Sequence, residues 1–297
     1  MFIEIRTHGK NKKYYLIHTY RYLGKVKRIT RYLGSNLKQR DIEKLRSRAE
    51  KLIIEKIKEQ NTHELSDYEI LQYRKYDQRI SIVHFNKKID WKQFTTDFTY
   101  NTNAIEGSTV EKSQVKNLIE NKQEPINYDE IETINVAKAV NYIRETKDKL
   151  SINLIKKIHK ICFQNTKSFA GELRTVEIVI KDSQGNIIHQ GARAKDVHDL
   201  LEELVKWNEK YEKKYPSLLL AAIVHNQFEH IHPFQDGNGR VGRLLFNYIL
   251  LRHEYPPLNI SLKDRTKYYK VLQIYSRTGN IKPTLRFFVL EYRKQYG

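Results

Sequence analysis

"HPFQDGNGRVGR", residues 232–243, lies between two apolar helical stretches, and its reading decides the reading of the chain. The helix leading into it, "SLLLAAIVHNQFEHI" (217–231), has to stop before Pro233, because the residue preceding a proline is pushed out of the helical region. A second helix begins with "VGRLLFNYILL" (241–251). The turn between them holds Gly237 and Gly239, whose backbone freedom lets several N–H groups converge directly ahead of a helix N-terminus. Such a turn binds an anion. Arg240 and Arg243 share one face of the second helix beside this loop, and two guanidinium groups there suit a polyphosphate. Asp236 offers a hard oxygen of the kind Mg²⁺ takes when it also bridges nucleotide phosphates. His232 titrates near neutrality and stands at the loop entrance, where it can take a proton from an attacking hydroxyl. Each residue alone has a structural reading as cap, turn acid or packed ring. Together they specify phosphate chemistry.

Outside this stretch the chain reads as an ordinary helical protein with an unusual start. At 297 residues it has room for one large or two moderate domains and a substantial core. The single cysteine, Cys162 in "INLIKKIHKICF" (152–163), falls at helical spacing from Ile155 and Ile158 and reads as a small core residue, not a nucleophile. No signal peptide is visible, and the longest apolar run, "LLLAAIV" (218–224), is far short of the roughly 20 residues a membrane span needs. The expectation is a soluble cytoplasmic protein that makes no use of a membrane.

Charge is distributed unevenly. Lysine and arginine total 54 against 35 acids, a net +19, and the first forty residues hold eleven bases and one acid, Glu4, which makes +10. Such a concentration suits an acidic partner, nucleic acid being the usual one, with a plain solvated surface as the alternative. In that segment "YYLIHTYRYLGKVKRITRYLG" (14–34) carries β-branched and aromatic residues punctuated by Gly24 and Gly34, which predicts short antiparallel strands joined by tight turns. "RYLG" occurs at 21–24 and again at 31–34, a hairpin or meander echo.

From Gln39 the pattern changes to helical spacing of Ile42, Leu45, Ala49, Leu52, Ile53 and Ile57, predicting one long amphipathic helix. Beyond residue 64 apolar periodicity predicts helix over 89–105, 112–121, 128–147, 151–164, 195–211, 216–231, 238–253 and 264–296. Ser151 and Asp196 are placed to cap two of these starts. "VEIVIKDSQGNIIHQ" (176–190) interrupts them with a hairpin signal, two β-branched runs around "DSQGN". The expected organisation is a basic β-rich module (1–38), connector helices (39–88) and a mainly α domain (89–297).

Residues 232–243 satisfy every fixed position of the Fic signature, His-x-Phe-x-Asp/Glu-Gly-Asn-Gly-Arg-x-x-Arg, and the chain resembles that family over about residues 90–293. "TNAIEG" (102–107), "AGELRTVEI" (170–178), "DVHDLLEELVKWN" (196–208) and the tail from Asp264 extend the likeness. The resemblance implies a helical core with a β-hairpin flap and transfer of AMP from ATP, with Mg²⁺, to a Ser, Thr or Tyr hydroxyl of a target protein or of the chain itself. It assigns His232 as general base, Asp236 to the metal, Gly237, Asn238 and Gly239 to the phosphates, and Arg240 with Arg243 to the β and γ groups. Phe234 becomes a buried anchor, the flap strand Ile178, Val179, Ile180 and Lys181 a guide for the target segment, and Tyr268 an adenine-pocket residue. Thr102 and Glu106 match the signature of an inhibitory helix, near residues 90–106, whose glutamate pairs with Arg243; in some relatives that glutamate also helps water remove AMP. Ser276 replaces an asparagine common in related tails, and the flap is longer and more polar than usual. Phosphocholine and uridylyl transfer run on similar loops. A reading from another class, a nucleic-acid-binding regulator working through residues 1–40, stands beside these.

Overall fold

The computed structural model describes residues 1–9, 11–22, 25–60, 70–71, 73–74, 89–181 and 187–296, and the chain divides into two units, 1–65 and 66–297. In the first, β1 (Phe2–His8), β2 (Asn11–Tyr22) and β3 (Lys25–Ser35) form an antiparallel meander with β2 in the middle. One helix follows, α1 (Gln39–Gln60), as its spacing predicts. Ala49 and Ile53 of α1 are buried with Leu16 of β2, surrounded by Ile3, Ile29 and Leu33. The helix thus covers one face of the sheet.

Gly34 does something other than turn the chain. β3 runs through it, Tyr14 faces Gly34 while Tyr15 faces Tyr32, and the extra residue between them makes a bulge. Gly34 adopts φ 149°, and a methyl group built on it would lie 2.9 Å from the Leu37 side chain. The expected turn at Gly24 and most of the expected connector between 61 and 88 lie outside the described residues.

The second unit is helical. Its elements are α2 (Trp91–Ile105), α3 (Lys112–Glu120), α4 (Tyr128–Glu145), α5 (Ile152–Phe163), α6 (Val197–Tyr211), α7 (Ser217–Ile231), α8 (Asn238–Arg252), α9 (Arg265–Thr278) and α10 (Lys282–Tyr296). A short hairpin, β4 (Val179–Lys181) and β5 (Ile187–Gln190), stands between α5 and α6; its tip, 182–186, lies outside the described residues. The two helices flanking the motif form the centre: α2, α4 and α5 pack on α8, and α6, α9 and α10 on α7. α7 is buried almost all round, from Leu218 to Phe228. That fits a helix surrounded by others rather than one lying on a surface.

Caps account for several starts. Asp90 accepts from the Gln93 N–H at 3.0 Å, Asn127 from Glu130 at 2.9 Å, and Ser151 from Leu154 at 3.1 Å. Asp196 precedes α6 as expected, but its carboxylate makes no cap hydrogen bond; it takes the Arg193 guanidinium at 2.6 Å instead. The long helical tail also divides in two. Gly279, at φ 73°, closes α9 by donating to the Tyr275 carbonyl at 2.8 Å, and α10 then starts with Pro283 in its first turn. Among the described residues no helix is long and apolar enough to cross a membrane.

Candidate active site

The loop between α7 and α8 is held from inside. His232 ends α7 in the left-handed region, φ 55° and ψ 64°, a conformation that costs a non-glycine residue about 1–3 kcal/mol and needs support. The support is Arg174, buried at 2 % exposure. It donates to the His232 carbonyl at 2.7 Å, to Ile231 at 3.3 Å, to Val176 at 2.8 Å and to Ala192, so one guanidinium ties the motif to both ends of the hairpin. Asn238 clamps the loop across its width, donating to the Phe234 carbonyl at 2.8 Å and accepting the Phe234 N–H at 2.9 Å. Its side chain is thereby spent, which leaves its backbone N–H for an anion.

His159 of α5 seats the loop from below. Its ring stacks on Phe234 at 3.8 Å, its Nδ1 accepts from the Gly171 N–H at 2.8 Å, and its Nε2 then donates to the Asp236 carbonyl at 3.1 Å. Burial pushes this imidazole down to about 4. Phe234 itself is fully buried, as the resemblance implies. Cys162, one turn further on, is equally buried, and burial raises its thiol to about 12, so it is core. Gly237 permits no side chain: at φ 79° its Cβ would fall 2.2 Å from the Phe163 ring. The first intrahelical bond of α8 runs from the Val241 N–H to the Gly237 carbonyl, so the N–H groups of 238–240 precede it at the helix N-terminus.

The charged motif residues fall into two groups. On one side Arg240 bonds Glu132 of α4, lies 4.3 Å over the Phe163 ring and approaches Asp236 at 3.9 Å; Lys167 reaches Asp236 at 3.2 Å and Glu132 at 3.8 Å. Burial would raise the Asp236 pKa, but Arg240, Lys167 and the Gly237 N–H outweigh it and hold the carboxyl below its ordinary value. Asp236 is therefore a half-exposed, ionised carboxylate at the loop tip, with Lys167 the cation already beside it.

On the other side Arg243, 3 % exposed along its side chain, meets α2. Its Nη2 pairs with Glu106 at 2.7 Å and donates to the Thr102 carbonyl at 3.0 Å, its Nε donates to the Thr102 hydroxyl at 2.7 Å, and its Nη1 approaches the Tyr268 hydroxyl at 3.4 Å. Burial opposes the charge on Arg243, but Glu106 more than offsets that and keeps the guanidinium firmly protonated. Glu106 also crowds the loop: a methyl group on Gly239 would lie 2.2 Å from its Oε1. Glu106, Gly239 and Tyr268 open on a cavity of about 400 Å³ whose walls also include His232, Tyr269 and Ser276. A second depression, of about 760 Å³ between Phe94, Pro256 and Lys294, holds none of the motif residues.

The hairpin adjoins the same place. Gly191, just after β5, lies so close to His232 that an added Cβ would come within 3.3 Å of the histidine Cβ and 3.2 Å of Ile178. Val179 is exposed on β4, and of the Ile180 and Lys181 side chains only their strand positions are described. Sequence reasoning missed Glu132, Lys167, Arg174 and His159. Only Glu132 left a local signal, a carboxylate within the buried face of α4 that demands a buried cation.

Residues 149–250 match the model of the Fic/DOC family. The chain is similar to the protein adenylyltransferase Fic of Aedes aegypti, 32 % identical over 197 residues, covering 63 % of this chain and 38 % of that protein. The same-named protein of Nematostella vectensis is 30 % identical over 202 residues, covering 63 % and 44 %. The chain thus spans less than half the length of these curated relatives. Among solved structures it resembles Fic-1 of C. elegans (TM-score 0.64, 22 % identity, covering 88 % of this chain and 77 % of that one) and a Fic family protein from Desulfovibrio desulfuricans G20 (0.61, 26 %, 69 % and 63 %). Fold and motif geometry agree with the sequence match, and residues 149–250 of this chain are similar to the Fic/DOC family.

Proposed function

We propose that the chain transfers AMP from ATP to a hydroxyl group of a protein, and that in the conformation described α2 holds it off. The observation that carries the proposal is the Glu106–Arg243 pair set against Gly239, beside His232 and the cavity. The names of the relatives support AMP transfer, and the site supports it chemically. His232 Nδ1 lies 3.3 Å from the Glu229 carbonyl. Donating a proton there leaves the basic lone pair on Nε2. The target oxygen attacks the α-phosphorus, its proton passes to Nε2, the bond from α-phosphorus to the bridging oxygen breaks, and pyrophosphate leaves. The first N–H groups of α8 and the Arg243 guanidinium stabilise the phosphates, preorganised donors being the main lever in such transfers. Arg240 reaches them once it parts from Glu132.

Asp236 fits Mg²⁺, which takes one or two carboxylates and completes its shell with phosphates and water. When bound, the ion would neutralise phosphate charge. The edge of β4, on which Val179 is exposed, aligns the target segment by strand addition. Tyr268 and Ser276 lie in the cavity wall where the base would sit.

Inhibition follows from what Glu106 occupies. Its carboxylate fills the anion position at the start of α8 and takes the fork of Arg243, so the γ-phosphate has neither. The same carboxylate beside an AMP-modified target can activate water, which gives the native chain a reverse reaction. The test is incubation with ATP labelled on the α- or the γ-phosphate, with UTP as competitor. Protein-bound α-label that UTP does not displace supports adenylyl transfer, whereas γ-label alone makes the chain a kinase and displacement by UTP makes it a uridylyltransferase.

A further inference from the structure

The chemistry proposed above uses no residue before Thr102, and the sheet of the N-terminal unit has a face that α1 does not cover. Strand alternation and cross-strand register place Arg6, Lys13, Tyr15, Arg28 and Tyr32 on this face: Arg6 stands opposite Lys13, Tyr15 opposite Tyr32, and Thr19 opposite Arg28. The other set, Ile3, Leu16, Ile29 and Leu33, is the one packed on α1. Ile17 shares this face and is buried, while beside it the Tyr15 and Tyr32 ring centroids are 5.3 Å apart, the Arg6 guanidinium lies 4.5 Å over Tyr15, and Tyr32 is 53 % exposed. Glu4, the single acid among the first forty residues, also lies here and is bonded by both Arg6 and Arg28. The one negative charge on the face is therefore neutralised from within.

We propose that this face binds single-stranded nucleic acid, with the tyrosine pair stacking on unpaired bases and Arg6, Lys13 and Arg28 on the phosphates. Two observations choose this occupant. The segment carries +10 in forty residues, which calls for a polyanion. Its cations surround a pair of rings rather than a plain basic surface, and a ring platform flanked by cations is what backbone-tracking single-strand binders use, because every unpaired base presents a π-face. In a duplex those faces are stacked inside and out of reach. Glu4 competes with the phosphates for Arg6 and Arg28, so it sets the affinity from below.

The test uses the full chain and fluorescence anisotropy with a labelled oligothymidylate of about 20 nucleotides, the matching RNA and the matching duplex, at several salt concentrations. The expected result is binding of the single strands that weakens steeply with salt, with the duplex bound at least several-fold more weakly. Tyr32→Leu, which preserves a strand-forming apolar residue, and Arg6→Gln should each lower single-strand affinity by about tenfold. Glu4→Gln should raise it several-fold and by more than Glu43→Gln, which removes one exposed acid from α1. Far-UV circular dichroism establishes that each variant keeps its sheet. Absence of binding overturns the proposal, as do equal affinity for duplex, an unaltered affinity in Tyr32→Leu, or equal gains from Glu4→Gln and Glu43→Gln. Capture by phosphatidylserine vesicles with the same response to all four variants would overturn it in favour of a lipid surface.

Discussion

Arg243 is buried and Glu106 is partly open to water, 3 % against 28 % exposed along the side chain, so the two partners fare differently when they separate. Glu106 can swing into solvent, but a buried guanidinium cannot stand alone and requires another anion. A γ-phosphate meets that requirement. His232 acts on the incoming hydroxyl and on none of the phosphates, so His232→Ala should lower transfer by about 10²- to 10⁴-fold while ATP affinity stays nearly unchanged. Single-turnover rates and equilibrium ATP binding, measured side by side, check this; a parallel loss of both would make His232 a binding residue. His159 makes a prediction about pH. The unfolded chain protonates this ring near 6.5 and the fold only near 4, so its contribution is intact above pH 6.5 and is lost as the pH falls toward 4. The loss is on the order of 2 kcal/mol by pH 5. Denaturant midpoints at pH 7.5 and pH 5 should therefore fall less far apart in His159→Gln than in the native chain, and an equal drop would remove His159 as the cause.

At the scale of elements, the α7–loop–α8 unit works because α5 supplies its floor and the base of the hairpin supplies its brace. Gly237→Ala tests the floor: the new methyl would meet the Phe163 ring at 2.2 Å while the backbone stays at φ 79°. Thermal unfolding should register a loss of at least about 2 kcal/mol, and an unchanged midpoint would mean that the loop has other seats. The motif itself was legible because its residues are consecutive, and of them His232 and Gly239 line the cavity. The helices were legible from periodicity, and so was the hairpin from "DSQGN" between β-branched runs. Glu132 signalled a buried cation but not which one, because it stands 108 residues before Arg240 and nothing local relates the two. Arg174 was hidden for the same reason, since its partners are carbonyl groups, which any residue possesses. Gly34 misled through composition: a glycine between strand-like runs reads as a turn, while a bulge needs the same backbone freedom. Gly279 with Pro283 carried the break between α9 and α10, which the continuous apolar periodicity of 264–296 masked.

For the whole molecule, the site residues between Thr102 and Ser276 belong to the second unit, and ten of the nineteen net positive charges belong to the first forty residues. The enzyme reading and the polyanion reading therefore rest on different parts of the chain and fail separately. What joins distant parts within the second unit is the latch, 137 residues of sequence apart, in which the end of α2 closes the phosphate end of α8. That contact keeps Arg243 from a nucleotide. Its measurement is the rate of α-labelled AMP incorporation, at saturating ATP and Mg²⁺, in the native chain, in Glu106→Gly and in the double variant Glu106→Gly with His232→Ala. Removing the carboxylate frees Arg243 and the start of α8 for the triphosphate, so Glu106→Gly should label itself or a target at least about tenfold faster than the native chain, and the double variant should lose that gain. An unchanged rate in Glu106→Gly, or a gain that survives loss of His232, would contradict the account.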